Sequence, residues 1–210
     1  DLDADPALID PVLARLPVPL RPGTRLPGAL CGLEAAVRVV LGQQVTVKAG
    51  CTLAQRLVHC LGEPVSTPFA VLSHLFPSAQ ALAAADPQVL GQLGIVRQRV
   101  KAIQALAGAV LQGALVLHRD APLQATLDAL CALPGVGDWT AQVIAMRALA
   151  WPDAWPASDI GLMNALGDTT RSPGHLTALA QAWRPWRAYA VMRLWTSLEC
   201  PDTQGTESTP

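Results

Sequence analysis

Leu133-Pro134-Gly135-Val136-Gly137-Asp138-Trp139-Thr140-Ala141-Gln142-Val143 places two glycines one residue apart, and the chain then runs on to Trp155-Pro156-Ala157-Ser158-Asp159. Upstream, Leu123, Leu127 and Leu130 recur at helical spacing from Pro122 to Cys131. Downstream, a second helical run extends from Asp138 to about Ala150, before Pro152 and Pro156. The stretch therefore predicts a helix, a tight turn and a second helix. Glycine adopts positive φ and lets another backbone approach closely. The first N–H groups of the second helix have no partner within it and suit a phosphate oxygen. Such a turn grips a nucleic-acid backbone without reading bases. An ordinary αα-hairpin with a glycine turn has the same local pattern.

Working outward, the composition predicts an all-α chain. Hydrophobic residues make up 51% of the 210 residues, enough for a sizeable core in one large or two small, closely packed domains. Alanine and leucine dominate, and β-branched residues are sparse. A formal net charge of −1 gives no global attraction for nucleic acid. Arg97, Arg99, Lys101 and Arg119, and later Arg184, Arg187 and Arg193, still recur without intervening acids, while Asp1, Asp3, Asp5 and Asp10 cluster elsewhere. The five cysteines have no CxxC spacing and read as reduced thiols, mostly in the core of a cytoplasmic protein. The four histidines have no metal spacing, and neither a signal peptide nor a membrane-length apolar span is present. The chain opens at Asp1 without a methionine, which fits a trimmed or partial product.

Taken in order, residues 1–27 form a proline-rich strap with a short helix from Pro6 to Leu16 capped by Asp5. Helices are predicted over Leu30–Leu41 and, capped by Thr46, through Leu61, with Val47, Cys51, Leu53, Ala54 and Leu57 inward. Short helices follow at Pro68–Leu75 and Ser78–Ala85, then one opened by Asp86-Pro87, then a longer one from Ile95 to Leu111. Arg97, Arg99 and Lys101 near its start suit either a solvated face or phosphate contacts. Ser158-Asp159 opens a helix ending near Gly167, and further helices span about Ser172–Ala182 and Pro185–Leu198. Residues 28–200 form the helical core, and residues 201–210 a flexible tail.

Leu133-Pro134-Gly135-Val136-Gly137-Asp138-Trp139-Thr140-Ala141, together with Leu41-Gly42-Gln43-Gln44-Val45-Thr46-Val47, Pro156-Ala157-Ser158-Asp159 and Trp183-Arg184-Pro185-Trp186-Arg187-Ala188-Tyr189-Ala190, resembles the helix-hairpin-helix base-excision DNA glycosylases. The likeness runs from about Asp5 to Leu198. Within that superfamily it is strongest to the 3-methyladenine DNA glycosylase II type. It implies an all-α fold of two helical lobes with a cleft between them, and damaged double-stranded DNA as partner of a monomeric, cytoplasmic enzyme without a membrane segment. It also implies DNA contacts from Gly135, Val136, Gly137 and Thr140. Gln44 would be the wedge that enters the duplex where the target nucleotide has left. No cofactor is implied, although a structural monovalent cation at the hairpin is common in the family. The absence of a four-cysteine cluster argues against an iron–sulfur centre. Relatives of this type often carry a further β-rich N-terminal domain that nothing in this chain would supply.

The resemblance also assigns chemistry. Taken alone, Asp159 is an ordinary helix cap. In the family the carboxylate at this position stabilises the positive charge that builds on deoxyribose as the N-glycosidic bond breaks. Bifunctional relatives place a lysine where Trp139 stands, and an indole forms no Schiff base, so the expected enzyme is monofunctional. Trp139 and Trp195 match aromatic pocket positions, where an indole face attracts a cationic alkylated purine. Relatives have a tyrosine where this chain has Val143, which leaves hypoxanthine or uracil as an alternative base. A non-catalytic binder of DNA structure is the alternative from another class. Arg184 and Arg187 would anchor the last helix, either to acidic residues or to the DNA backbone.

Overall fold

A computed structural model describes residues 1–19 and 21–199; Cys200 and the expected flexible tail, residues 201–210, lie outside them. The described chain is all-α, and the one β feature among these residues is an isolated bridge between Pro64 and His74. The chain divides into two compact units, Pro27–Trp151 and a second made of residues 1–26 with the chain from Pro152 onward. The N-terminal strap thus groups with the C-terminal helices.

The Pro27–Trp151 unit holds α2 (Gly32–Leu41), α3 (Val47–Leu61), α4 (Ala79–Ala84), α5 (Pro87–Gln92), α6 (Arg97–Leu111), α7 (Leu123–Cys131) and α8 (Asp138–Ala148), numbered after α1 of the other unit. Helix α2 packs on α3, α6 and α8, α6 receives α4 and α5, and α7 lies on α8. The core is aliphatic, with Val40, Leu41, Leu57, Ile103, Leu106, Leu130 and Ile144 wholly buried. Three helix starts follow their sequence signals. Thr46 Oγ1 accepts from Ala49 N at 3.2 Å, Ser78 Oγ from Ala81 N at 3.2 Å, and Asp86 Oδ1 from Gln88 N at 2.7 Å.

Several expectations are corrected in this unit. Residues 68–75 form no helix: Val65 N donates to Ser73 O and Leu75 N to Glu63 O, while the Thr67 hydroxyl serves the carbonyls of Phe69 and Leu72. That segment pairs across itself and leaves Phe69, Val71, Leu72 and Leu75 exposed. In α3 the buried stripe is Gly50, Leu53, Ala54 and Leu57. Cys51 falls off that stripe, and Val47, the first residue of the helix, precedes its buried part; both are exposed. Cys31, Cys51, Cys60 and Cys131 are all exposed free thiols rather than core residues.

The second unit holds α1 (Pro6–Leu13), α9 (Ile160–Ala165), α10 (Pro173–Ala180), a 3-10 turn (Gln181–Trp183) and α11 (Arg187–Glu199). Helix α11 packs on α9, and α1 on the 3-10 turn. Two N-terminal carboxylates tie the strap to α11. Asp1 Oδ2 accepts from Leu26 N at 2.7 Å and from the Tyr189 hydroxyl at 2.8 Å. Asp10 accepts from Gly23 N and from the guanidinium of the fully buried Arg193. Asp153 takes Arg187 in a two-point pair, Nε at 2.7 Å and Nη2 at 2.9 Å, and Arg184 Nε at 3.0 Å. Arg184 and Arg187 therefore anchor α11 to an acidic residue. Among the described residues no helix is long and apolar enough to cross a membrane.

Candidate active site and DNA-binding hairpin

The turn between α7 and α8 is built as the glycines require, though unequally. Gly135 has φ +78°, and a Cβ there would meet Ala102 Cβ at 3.2 Å and Gln98 O at 3.4 Å. The turn therefore lies against the first turns of α6, and any side chain at position 135 would be strained in both backbone and packing. Gly137 has φ −95° and open space where a Cβ would stand, so neither backbone conformation nor packing demands glycine. It is the N-cap of α8 and leaves the helix start uncovered. Val136 buries its side chain and spends its N–H on Leu133 O at 3.2 Å. The Thr140 side chain also points inward, 3% exposed. Trp139 and Val143 lie one turn apart on one face of α8, Trp139 half-buried and Val143 buried.

The α2–α3 loop meets this turn through a residue that the sequence did not single out. Gln43 Nε2 donates to Gly135 O at 3.0 Å and to Thr140 Oγ1 at 2.9 Å. Arg99, from α6, donates to the Gln43 carbonyl oxygen. The next residue, Gln44, is exposed with φ +51°, an uncommon conformation for a residue other than glycine. Arg99 thus serves this loop, which is neither of the roles its place in the sequence suggested.

In the other unit, Asp159 is the N-cap of α9 and is buried to 9% exposure. Its Oδ1 accepts from Leu162 N at 2.8 Å and from Trp195 Nε1 of α11 at 3.1 Å. Gly161 makes room for this arrangement. A Cβ there would stand 2.9 Å from Asp159 Oδ1 and 3.5 Å from both Trp195 Cδ1 and Leu198 Cδ1. A carboxylate fixed by two donors is suited to stabilise positive charge developing beside it.

The structure therefore groups the expected residues in two sets. Gln44, Gly135, Val136, Gly137, Trp139, Thr140 and Val143 belong to the Pro27–Trp151 unit, and Asp159 and Trp195 to the other. Gln43 and Gly161 escaped sequence reasoning, which gave Arg99 a different role. The amide at position 43 beside Gly42 was the available signal, but its partners lie 92 and 97 residues away.

A glycine-turn hairpin followed along the chain by a helix-capping carboxylate is the order of features that the sequence shares with helix-hairpin-helix base-excision proteins. The chain belongs to that family: residues 37–188 match the HhH-GPD superfamily base excision DNA repair proteins. It is 46% identical over 213 residues to the "Probable bifunctional transcriptional activator/DNA repair enzyme AlkA" of Mycobacterium tuberculosis (strain ATCC 25618 / H37Rv), covering 97% of this chain and 42% of that protein. It is 36% identical to the "DNA-3-methyladenine glycosylase 2" of Escherichia coli (strain K12), covering 93% of this chain and 67% of that one. The chain thus spans less than half the length of the mycobacterial relative. The fold matches that of the Schizosaccharomyces pombe 3-methyladenine DNA glycosylase Mag1, solved with abasic DNA, at a TM-score of 0.71 and 17% identity over 97% of this chain and 96% of that one.

Proposed function

We propose that this protein is a monofunctional DNA glycosylase, of the 3-methyladenine DNA glycosylase II type, acting on alkylated purines such as 3-methyladenine and 7-methylguanine in damaged double-stranded DNA. The observation that carries the reading is Asp159, a buried helix-capping carboxylate whose Oδ1 is fixed by Leu162 N and Trp195 Nε1. The target atom is out of reach in a stacked duplex, so the nucleotide must flip out. The C1′–N bond then breaks, its electron pair leaving with the base and positive charge growing on the deoxyribose. Asp159 opposes that charge. Water adds at C1′ and gives up a proton, leaving an abasic site. An alkylated purine already carries positive charge and departs as a neutral base, so little acid assistance is needed.

The indoles of Trp139 and Trp195 favour a cationic base. An indole at position 139 offers no amine for attack on C1′, so the strand is left uncut. Gly135 and Gly137 hold a phosphate near the lesion, and Gln44 is the wedge. The Val136 N–H, already given to Leu133 O, is committed elsewhere. Hydrolysis needs no cofactor. A monovalent cation at the hairpin would be held by backbone carbonyls of the turn. Its charge would favour phosphate. The reading places the enzyme in the cytoplasm, as a monomer.

The test is base release from duplexes containing 3-methyladenine or 7-methylguanine, with Asp159→Asn as control and nicks scored before and after alkali. Release that needs Asp159, with nicks only after alkali, is expected. Equal release by Asp159→Asn would overturn the mechanism. Release from hypoxanthine or uracil duplexes instead would keep the chemistry and change the base, the alternative that Val143 raises. DNA binding without any release would favour the non-catalytic binder.

A further inference from the structure

We infer that Gln43 is a positioning residue, which locks the loop carrying Gln44 to the turn of the hairpin so that wedge and phosphate grip meet the duplex as one rigid element. The inference rests on the glycosylase reading and adds to it a residue that touches neither base nor phosphate.

The hydrogen bonds of Gln43 are specific to its side chain. A carboxamide has two N–H donors on one nitrogen. Gln43 Nε2 places them on two acceptors of the hairpin, Gly135 O at 3.0 Å and Thr140 Oγ1 at 2.9 Å. The first lies in the turn, and the second is in the first turn of α8. One side chain thus spans the junction that forms the phosphate grip. Glutamate has the same length but no donor at neutral pH, and methionine has neither donor nor acceptor of comparable strength. Thr140 is buried, so losing its partner leaves a polar atom away from water.

Helix α6 closes the circuit. Arg99 holds the Gln43 carbonyl, while Gln98 and Ala102 of the same helix pack against Gly135. Loop and hairpin are fastened to each other and to a common support. Gln44 follows directly, exposed and in the left-handed region at φ +51°. A non-glycine residue stays there only when its surroundings hold it. Gln43, clamped at side chain and carbonyl, is the neighbour that does so. Without the clamp the wedge would still exist, but ordering it on DNA would cost conformational freedom at each encounter.

The test compares binding to a duplex containing a tetrahydrofuran abasic analogue with binding to the same undamaged duplex. Full-length wild type, Gln43→Met, Gln44→Ala and the double variant are measured, with thermal melts alongside. Gln43→Met is expected to lose about tenfold in preference for the abasic duplex, a factor worth ~1.4 kcal/mol. In the Gln44→Ala background the same change should add little, because the clamp acts through the wedge. A purely structural Gln43 would lower the melting temperature without changing the preference, or its effect would multiply fully with that of Gln44→Ala; either result overturns the inference. If Gln43→Met does not fold, Thr140→Val removes one acceptor, and an unchanged preference there has the same force. Wild type with no preference for the abasic duplex would remove the glycosylase reading and this inference with it. An intact wild-type preference that Gln43→Met retains would remove the inference alone.

Discussion

Trp195 Nε1 donates to Asp159 Oδ1 at 3.1 Å, so a residue expected to stack on a base also holds the carboxylate. The two roles separate in Trp195→Phe, which keeps an aromatic face and loses the N–H. Base release by this variant should fall about tenfold in kcat with KM changed little, the pattern of an interaction that matters in the transition state. A rise in KM with kcat intact would leave stacking as the whole contribution.

Asp159→Asn should abolish most base release while leaving the fold in place. Asparagine caps a helix about as well as aspartate. Loss of the charge should cost on the order of 10²–10³ in single-turnover rate, the scale of removing one preorganised electrostatic contact. The thermal midpoint should stay close to that of wild type.

Gly161→Ala sets helix propensity against the site. Alanine is ordinarily favoured over glycine in a helix by about 1 kcal/mol. Here its Cβ would stand 2.9 Å from Asp159 Oδ1. Slower base release with no gain in melting temperature is expected. A higher melting temperature with an unchanged rate would mean that the carboxylate tolerates the methyl group.

Asp153 and Arg187 form a buried pair, with side chains 8% and 11% exposed. Arg187→Leu should destabilise the protein by up to about 3–5 kcal/mol, because it leaves the buried carboxylate with Arg184 alone in place of a two-point pair. Arg184, whose side chain is 54% exposed, meets the same carboxylate from the surface. Its replacement by alanine should cost no more than ~1 kcal/mol in urea unfolding.

Cys131 ends α7, and partial burial, then the carboxylates of Asp138 and Asp128, raise its thiol pKa. A raised thiol pKa means less thiolate near neutral pH, and the thiolate is the species that reacts. Iodoacetamide should therefore label Cys131 more slowly in the native protein than in urea, and Asp138→Asn should speed the native reaction. Equal native and denatured rates would contradict this placement beside the hairpin.

Much of the architecture was legible because its causes are local. Thr46, Ser78, Asp86 and Asp159 cap the helices that their positions announced. The glycine turn lies between α7 and α8, although only Gly135 has the left-handed backbone. Where several apolar residues lie close together, side chains alone did not decide. Residues 68–75 look helical but pair with residues 63–65 instead. Cys51 lies one step off the stripe that packs, and Val47, at the first position of α3, lies beyond its buried end.

The sequence by itself determined an all-α protein with a glycine hairpin and a carboxylate at a later helix start. These follow from periodicity, capping and backbone sterics, each acting within a turn or two. Only the tertiary structure decided which polar groups serve one another. Asp153 receives Arg184 and Arg187, Asp10 receives Arg193, Trp195 receives Asp159 as its acceptor, and Gln43 reaches Gly135 and Thr140. Such pairings form because a buried charge or amide must find a partner once water is excluded. Which partner is near depends on helices distant in the chain being brought together.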